Sequence, residues 1–155
     1  MQELVDRLLK QFQASILDKV EYQGEMTLLA DARQIVPLLR HLKDSEGFNS
    51  LVDISCAHWP ESGQIEVVYQ VRSLSTRNQL RIKAALPEEA PTVETACGIW
   101  RAANWLEREV YDLMGVRFEG HPDLKRIMLP EDFVGHPLRK EFPMEGDDEW
   151  RNYLE

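Results

Sequence analysis

The length and charge of the chain exclude several classes of protein. It has 155 residues, of which 43% are hydrophobic, and a domain of this size buries roughly 70% of its unfolded surface. A formal net charge of −9 argues against a nucleic-acid surface and against adsorption to anionic lipid, because both need clustered Lys and Arg. No stretch approaches the ~20 apolar residues of a membrane-spanning helix, and no secretory leader is predicted. Two cysteines, Cys56 and Cys97, are too few for a disulfide scaffold and indicate free thiols in a reducing cytoplasm.

The N-terminal part of the chain predicts a helix, two strands and a second helix. Residues 4–12 place their apolar side chains at helical spacing, which is typical of an amphipathic helix. Short strands are expected at residues 16–22 and 25–30. Asp31 is expected to cap the next helix, which runs to about Lys43.

Three more strands are predicted: residues 51–58 are rich in β-forming residues, and apolar and polar residues alternate at residues 64–72 and 80–84. This order of strands and turns indicates a β-meander with one apolar and one polar face. The strand–helix–strand unit at residues 25–58 is expected to add a parallel pair by a right-handed crossover. The fold class is therefore α+β, with a mixed, largely antiparallel β-sheet packed with helices.

The clearest helix is predicted from about Ala96 to Leu113, and Gly115 is expected to stop it. Its apolar stripe follows three- and four-residue steps and consists of Ala96, Ile99, Ala103, Leu106, Val110 and Leu113. Trp100 and Trp105 are five residues apart, so at least one of them should point away from that stripe. An aromatic residue in such a position suits an interface anchor.

Charged residues on this helix allow three interpretations. Glu107 and Glu109 are expected to flank the apolar stripe, whereas Arg108 and Asp112 are expected to pair on the outer face. The simplest interpretation is a solvated or ion-paired face. An inter-subunit cluster of salt bridges and a pair of catalytic carboxylates are the alternatives.

Half of the chain's eight prolines lie in residues 116–143. Each removes a backbone donor, so this stretch is neither a central strand nor a long helix. It nevertheless carries apolar residues such as Phe118 and Phe142, which a disordered linker lacks. We therefore predict a globular domain over residues 1–115, an extended proline-rich C-terminal arm over residues 116–143, and an acidic tail over residues 144–155. The arm should lie against its own domain or a partner.

Motifs that bind common cofactors are missing from the sequence. Cys56 and Cys97 form no C-x-x-C pair, as an iron–sulfur cluster would need, and the glycines match neither a dinucleotide nor a phosphate-binding loop. His121 and His136 lack metal-ligand spacing. Each is expected to bond the backbone at the bend before its proline.

Two stretches resemble one known family. The first reads EREVYDL at residues 107–113, then continues with His121 and with KRIM at residues 125–128; the second reads LPEDFVGHPLRKEFP at residues 129–143. Together they are similar to the C subunit family of complex I, the thirty-kilodalton subunit of the respiratory NADH dehydrogenase.

The resemblance implies a non-catalytic hydrophilic-arm subunit, peripheral on the cytoplasmic side of the inner cell membrane. It would support the quinone-reduction site by packing against the large D subunit, whose surface helps form the quinone cavity and which is called the quinone-cavity subunit below. The B and I subunits would lie nearby. FMN and iron–sulfur clusters would lie in partner subunits that pass electrons from NADH to quinone, and this chain would hold no cofactor, metal or catalytic residue.

Nine residues match the motif of this family. The resemblance gives them no catalytic role, and they are expected to hold the arm and its partner in register: Glu107, Arg108, Glu109, Asp112, His121, Arg126, His136, Arg139 and Lys140.

Two other functions stay open at this point. Related subunits occur in membrane-bound hydrogenases, coenzyme F420 dehydrogenases and plastoquinone reductases, and the motif does not separate their electron donors. A stand-alone hydrolase would belong to another class, and it would use His121 or His136 with Glu107 or Glu109.

Overall fold

The alternating strands assemble into one mixed sheet in the computed structural model of the chain, which describes residues 1–143. These residues also form three α-helices and a second sheet of two strands. The elements in chain order are α1 (Gln2–Gln11), β1 (Ile16–Tyr22), β2 (Glu25–Ala30), α2 (Ile35–Asp44), β3 (Ser50–Trp59), β4 (Gln64–Arg72), β5 (Gln79–Pro87), β6 (Thr92–Glu94), α3 (Ala103–Met114) and β7 (Arg117–Glu119).

The five-stranded sheet has the order β1-β2-β5-β4-β3. The antiparallel meander of β3, β4 and β5 is confirmed. The expected parallel pairing of β2 with β3 is wrong, because β2 pairs with β5 instead, Thr27 opposite Arg81 through Ala30 opposite Ala84. Both outer strands of the meander run parallel to β2, so either free edge could accept β2, and only the packed structure selects β5.

Alternation along the strands gives the sheet a buried face and a polar face. Ile65, Val67 and Tyr69 are fully buried on β4, and α1 and α2 contribute leucines to the same core. On the opposite face, Glu66 and Lys83 form a cross-strand ion pair at 2.8 Å. The core therefore lies on the helix side of the sheet, as the periodicity predicts.

The start of the second helix differs in detail from the prediction. Asp31 does act as a cap, since its carboxylate accepts a hydrogen bond from the Arg33 amide at 2.9 Å. The turn that it caps is a short 3-10 helix at Ala32–Gln34. The α-helix proper begins at Ile35.

The helix predicted from Ala96 begins only at Ala103, and residues 97–102 form turns. Side-chain acceptors bind two amides at the start of these turns. The carboxylate of Glu107 accepts from the Ala96 amide at 2.6 Å, and the hydroxyl of Thr95 accepts from the Cys97 amide at 3.1 Å. Gly115 ends the helix at φ +75°, as predicted.

Beyond Gly115, the chain first forms β7, which pairs in parallel with β6. From Gly120 to Pro143 it consists of turns and loops. The predicted acidic tail, residues 144–155, lies outside the described residues, and the predicted division of the chain at residue 115 stays a prediction. Within the described part of the chain, no helix is long and apolar enough to cross a membrane.

Candidate functional site

The side chain of Asp112 organises the segment that follows β7. It has no exposed surface, although aspartate is normally found at the surface. Its carboxylate accepts three backbone hydrogen bonds, from the amides of Ile127, Met128 and Leu129 at 2.9, 2.7 and 3.0 Å. It also pairs with Nη1 of Arg126 at 2.6 Å. One carboxylate on α3 thus fixes the path of four consecutive residues.

Opposing effects act on the ionisation of Asp112. Burial by itself raises the pKa of this carboxyl group. The Arg126 guanidinium and the three backbone amides together outweigh burial, so the pKa of Asp112 lies below its ordinary value. The carboxylate is therefore held in its charged form in the folded protein.

Arg126 connects this carboxylate to the rest of the segment. Its Nη1 also donates to the Asp112 carbonyl at 3.1 Å, and its Nη2 donates to the carbonyls of Phe133 and Gly135 at 2.8 and 3.0 Å. The guanidinium carbon lies 5.5 Å from the centre of the Phe133 ring. The planar guanidinium suits this role because it presents five donors in a fixed geometry. Asp112, Arg126 and the amides of residues 127–129 are called the Asp112–Arg126 cluster below.

Three further side chains link α3 to the segment, each by donating to backbone carbonyls of the other part. Arg108 donates to the carbonyls of Lys125 and Arg126 at 3.1 and 3.0 Å. His136 donates through Nδ1 to the Asp112 carbonyl at 2.9 Å. Arg139 donates through Nε to the Met114 carbonyl at 2.8 Å. The last two interactions satisfy carbonyls in the final turn of α3, which have no partner within the helix.

Gly115 makes the close approach of this segment possible. A Cβ atom at this position would lie 2.6 Å from Cδ2 of His136 and 2.9 Å from Nη2 of Arg139. The residue also has φ +75°, which strains any L side chain. Both constraints act at the same position, where α3 ends.

We expect Gly115→Ala to lower the free energy of unfolding by about 3 kcal/mol, since left-handed strain costs roughly 1 kcal/mol and overpacking adds roughly 1–3 kcal/mol. Gly63→Ala is the matched control. Gly63 has φ +61° but open space around its Cβ position, so only the strain of about 1 kcal/mol is expected. Urea denaturation of both variants measures the difference, and equal losses would contradict a close approach at Gly115.

Glu107 is fully buried and faces the loop before α3. Its carboxylate accepts from the Thr95 hydroxyl at 2.5 Å, the Ala96 amide at 2.6 Å and the Cys97 thiol at 3.5 Å. Burial raises the pKa of Glu107 despite these hydrogen bonds. Burial also raises the pKa of the Cys97 thiol, to about 11.

Two expectations for the charged face of α3 are wrong. Arg108 and Asp112 do not pair on an outer face, because Asp112 is enclosed by the segment and binds Arg126, whereas Arg108 binds the Lys125 and Arg126 carbonyls. Glu107 does not border the solvent, because the loop before the helix covers it. Helical periodicity predicted a polar outer face, but the loop before α3 covers Glu107 and the segment after β7 covers Asp112.

The remaining motif residues take different positions. His121 contacts backbone, as expected: Nε2 donates to the Asn104 carbonyl at 3.1 Å, and Nδ1 accepts from the Asp123 amide at 3.0 Å. The side chains of Glu109 and Lys140 are exposed. Trp105 is 62% exposed, so this tryptophan lies off the apolar stripe, as predicted.

Sequence reasoning missed His58, whose side chain is fully enclosed. Its Nδ1 accepts from the Lys140 amide at 3.0 Å, and its Nε2 lies 3.0 Å from the Glu88 carboxylate. Glu141 lies 3.2 Å from Nδ1. The available signal was a polar residue at an inward-facing position of β3, in phase with Ile54. His58 fixes the far end of the segment to the sheet.

The geometry around α3 is suited to holding two parts of the chain together. The carboxylates of Asp112 and Glu107 already accept hydrogen bonds from neighbouring donors, and the histidines bond backbone groups. Beside these contacts lies a cavity of about 150 Å³ between β3 and α3, lined in part by Cys56, Glu109 and Leu138.

Comparison of the sequence with known proteins gives consistent matches. Residues 28–148 match the family described as "Respiratory-chain NADH dehydrogenase, 30 Kd subunit". The C subunit of NADH-quinone oxidoreductase from Geotalea uraniireducens is 44% identical over 145 residues, which cover 93% of this chain and 88% of that protein. The C subunit from Moorella thermoacetica is 47% identical over 118 residues, covering 76% of this chain and 80% of that protein.

Solved structures give the same picture. The Nqo5 trypsin-resistant fragment (1-134) is similar, with a TM-score of 0.67 and 32% identity, and the match covers 77% of this chain and 98% of that chain. A chain of the membrane-bound sulfane sulfur reductase, an archaeal respiratory membrane complex, has a TM-score of 0.83 and 25% identity, with 99% of this chain and 89% of that chain covered.

Proposed function

The chain belongs to the respiratory-chain NADH dehydrogenase 30 kDa subunit family, and from this membership we propose how it serves its complex. It functions as the C subunit of NADH:quinone oxidoreductase, complex I, as its relatives are named. The finer proposal is that it is a non-catalytic hydrophilic-arm subunit. It packs against the quinone-cavity subunit, with the B and I subunits nearby, and supports the quinone-reduction site from outside.

One observation carries the docking proposal. Residues 120–143 bind α3 through the side chains of Arg126, His136 and Arg139, and they leave several large apolar side chains in solvent. Met128 is 63% exposed, Val134 77% and Leu138 58%, and Trp105 on α3 joins them. The buried Asp112–Arg126 ion pair holds this segment in place, so its exposed apolar side chains are presented in a fixed arrangement, as a protein interface requires. We call Trp105, Met128, Val134 and Leu138 the apolar docking residues.

The motif residues divide into two groups in this proposal. Seven of them make internal contacts. Glu107 binds the loop before α3, and the other six preorganise the docking segment: Arg108, Asp112, His121, Arg126, His136 and Arg139. The exposed residues Glu109 and Lys140 contact the partner. Preorganisation lowers the entropy that must be lost on binding. In this proposal, the arm that the sequence predicts is bound to its own domain on its inner side. Its outer side binds the quinone-cavity subunit.

Redox chemistry belongs to other subunits in this proposal. FMN and iron–sulfur clusters lie in partner subunits, electrons pass from NADH to quinone there, and the isolated chain has no turnover. Support comes from the hydrogen-bonded state of the buried carboxylates and histidines. The chain is peripheral, on the cytoplasmic side of the inner cell membrane, as part of the membrane complex.

Co-expression with the quinone-cavity subunit tests the docking proposal. The full chain carrying an affinity tag should retain that subunit, taken from the same organism, through purification, and the pair should elute together on size exclusion. The quinone-cavity subunit expressed with an unrelated tagged protein is the control for adhesion to the resin. Recovery of the folded chain without its partner, at concentrations well above micromolar, would overturn the docking proposal.

We expect Trp105→Ala to weaken binding of the quinone-cavity subunit by about thirtyfold, since a tryptophan anchor contributes roughly 2 kcal/mol. The stability of the isolated chain should change by no more than about 1 kcal/mol, because the Arg108 guanidinium carbon lies 5.2 Å from the centre of the Trp105 ring and an exposed contact of this kind contributes about 0.5–1 kcal/mol. Tyr22→Ala is the matched control, because Tyr22 is 70% exposed on β1, at the sheet edge opposite β3. Titration calorimetry compares the three proteins, and equal affinities would remove Trp105 from the interface.

A related complex is the second candidate. The likeness to a chain of the sulfane sulfur reductase complex favours the view that this subunit fold serves respiratory complexes with different electron donors. Membrane-bound hydrogenases, F420H2 dehydrogenases and plastoquinone reductases belong to the same group of candidates. Purification of the native complex through this chain, followed by assay with NADH and a quinone, distinguishes them; a complex that reduces quinone only with another donor would support the second candidate.

A further inference from the structure

Three different kinds of metal ligand meet where α3 contacts the segments on either side of it. Cys97 lies in the turns before α3, Glu107 on α3, and His121 just after β7. One ligand atom from each residue lies within 4.8 Å of the other two. Because the three residues come from separate segments, their spacing in the sequence gives no metal-binding signal.

We propose that Cys97, Glu107 and His121 form a binding site for a zinc-class divalent cation, with a fourth position for water. Sγ of Cys97 lies 3.5 Å from Oε2 of Glu107. Tetrahedral zinc with Zn–S near ~2.3 Å and Zn–O near ~2.0 Å separates these two ligand atoms by about 3.5 Å. A set of sulfur, imidazole nitrogen and carboxylate oxygen favours zinc over magnesium or calcium, which prefer oxygen alone.

The carboxylate of Glu107 is already oriented for this role. Oε1 accepts the hydrogen bond from the Ala96 amide at 2.6 Å, which leaves Oε2 towards Cys97. The Thr95 hydroxyl donates to Oε2 at 2.5 Å. Hydrogen bonds of this kind hold ligands in position around bound metals, and they raise affinity because less motion is lost on binding.

His121 approaches from the opposite segment. Its two ring nitrogens are held by backbone groups, the Asn104 carbonyl and the Asp123 amide, and cation binding replaces one of these contacts. Cys97 and His121 are half-buried, whereas Glu107 is fully buried. A cation therefore enters from the side of the cysteine and the histidine. Binding forms a metal–sulfur bond and releases the thiol proton to solvent, and no electron is transferred.

A second group of possible ligands is less suited to a cation. Glu88 and Glu141 contact different nitrogens of His58, at 3.0 and 3.2 Å. Nδ1 also accepts the Lys140 amide. The lone pair of Nδ1 is thus already used, and the Glu141 side chain is half-exposed to solvent, so this group offers a cation a less enclosed set of ligands.

Metal titration of the full chain tests the site directly. The purified chain is stripped with a chelator and titrated with Zn²⁺ by calorimetry and with Co²⁺ by absorption spectroscopy. We expect one equivalent of either metal, and Co²⁺ should show both tetrahedral d–d bands and a sulfur-to-cobalt charge-transfer band. Cys97→Ser should abolish the charge-transfer band. It should also weaken zinc binding by about a hundredfold, because loss of a direct ligand lowers metal affinity at least as much as loss of an outer-shell contact.

Cys56→Ser is the matched control, since Cys56 is the other half-buried thiol and should leave all signals unchanged. His121→Gln provides a second ligand variant and should weaken zinc binding to a similar degree. Near-UV circular dichroism verifies that each variant is folded. The proposal is overturned by a folded wild-type chain that binds no zinc, by a cobalt spectrum without the sulfur band, or by undiminished binding in Cys97→Ser. Because the assay needs no partner subunit, its failure is distinct from failure of the docking proposal.

Discussion

Asp112→Asn is expected to release residues 120–143 from α3 and to lower the free energy of unfolding by about 3–5 kcal/mol, the usual cost of removing one partner of a buried ion pair. The amide keeps the size of the side chain but loses the charge that Arg126 binds. If the Asn oxygen accepts the three backbone amides, its NH₂ group faces the Arg126 guanidinium, so that two donors meet without an acceptor. Urea denaturation measures the loss, and hydrogen exchange at residues 127–129 locates it.

Glu109→Gln is the matched control for Asp112→Asn. It removes a carboxylate from the same helix at an exposed position, so a change below about 0.5 kcal/mol is expected. A small loss in Asp112→Asn, with amides 127–129 still protected from exchange, would show that the Asp112 carboxylate does not hold the segment.

The pH dependence of stability provides a further readout of the same substitution. The folded pKa of Asp112 is lowered, so its stabilisation is complete above the ordinary aspartate pKa and is lost as the pH falls through the folded value. The folded pKa of Glu107 is raised, so its contribution has the opposite sign: it is present below the ordinary glutamate pKa and is lost as the pH rises through the folded value. In Asp112→Asn, the free energy of unfolding should therefore decrease less as the pH falls below the ordinary aspartate pKa. In Glu107→Gln, it should decrease less as the pH rises above the ordinary glutamate pKa.

Arg126→Ala is expected to cost about 3–5 kcal/mol, because it leaves the buried Asp112 carboxylate without its cation and removes the donors to the Phe133 and Gly135 carbonyls. Arg126→Lys should recover only part of this loss, since an ammonium group lacks the planar geometry that reaches several carbonyls at once. Lys125→Ala, at an exposed neighbour, is the control and should change stability by less than about 0.5 kcal/mol.

A double-mutant cycle measures the coupling between these two residues. If Asp112 and Arg126 act as one cluster, the double substitution Asp112→Ala with Arg126→Ala should cost clearly less than the sum of the single losses, with a coupling of about 1–3 kcal/mol. Additive losses would indicate that each residue stabilises the segment separately.

The family resemblance selected residues that the structure places in contact with one another, but it did not indicate what each of them binds. It identified Asp112, Arg126, His136 and Arg139 as a group, but the expectation of an ion pair between Arg108 and Asp112 used only the helical spacing. Spacing within one helix describes which residues share a face. It carries no information on whether another segment covers that face, and this is why the burial of Glu107 by the preceding loop and of Asp112 by the later segment was not predicted.

The sequence by itself determined the elements whose physics is local. Alternation of apolar residues predicted β4 and β5, β-forming residues predicted β3, and the turn at Gln23 and Gly24 separated β1 from β2. Asp31 predicted a cap and Gly115 predicted the end of α3. Each of these signals depends on neighbours within a few residues. Tertiary structure decided the pairing of β2 with β5 and the contact of Arg126 with Asp112, which is 14 residues earlier. It also decided the contact of His58 with Lys140, across 82 residues. Buried charges and polar groups need partners, and only the folded path of the chain brings those partners to them.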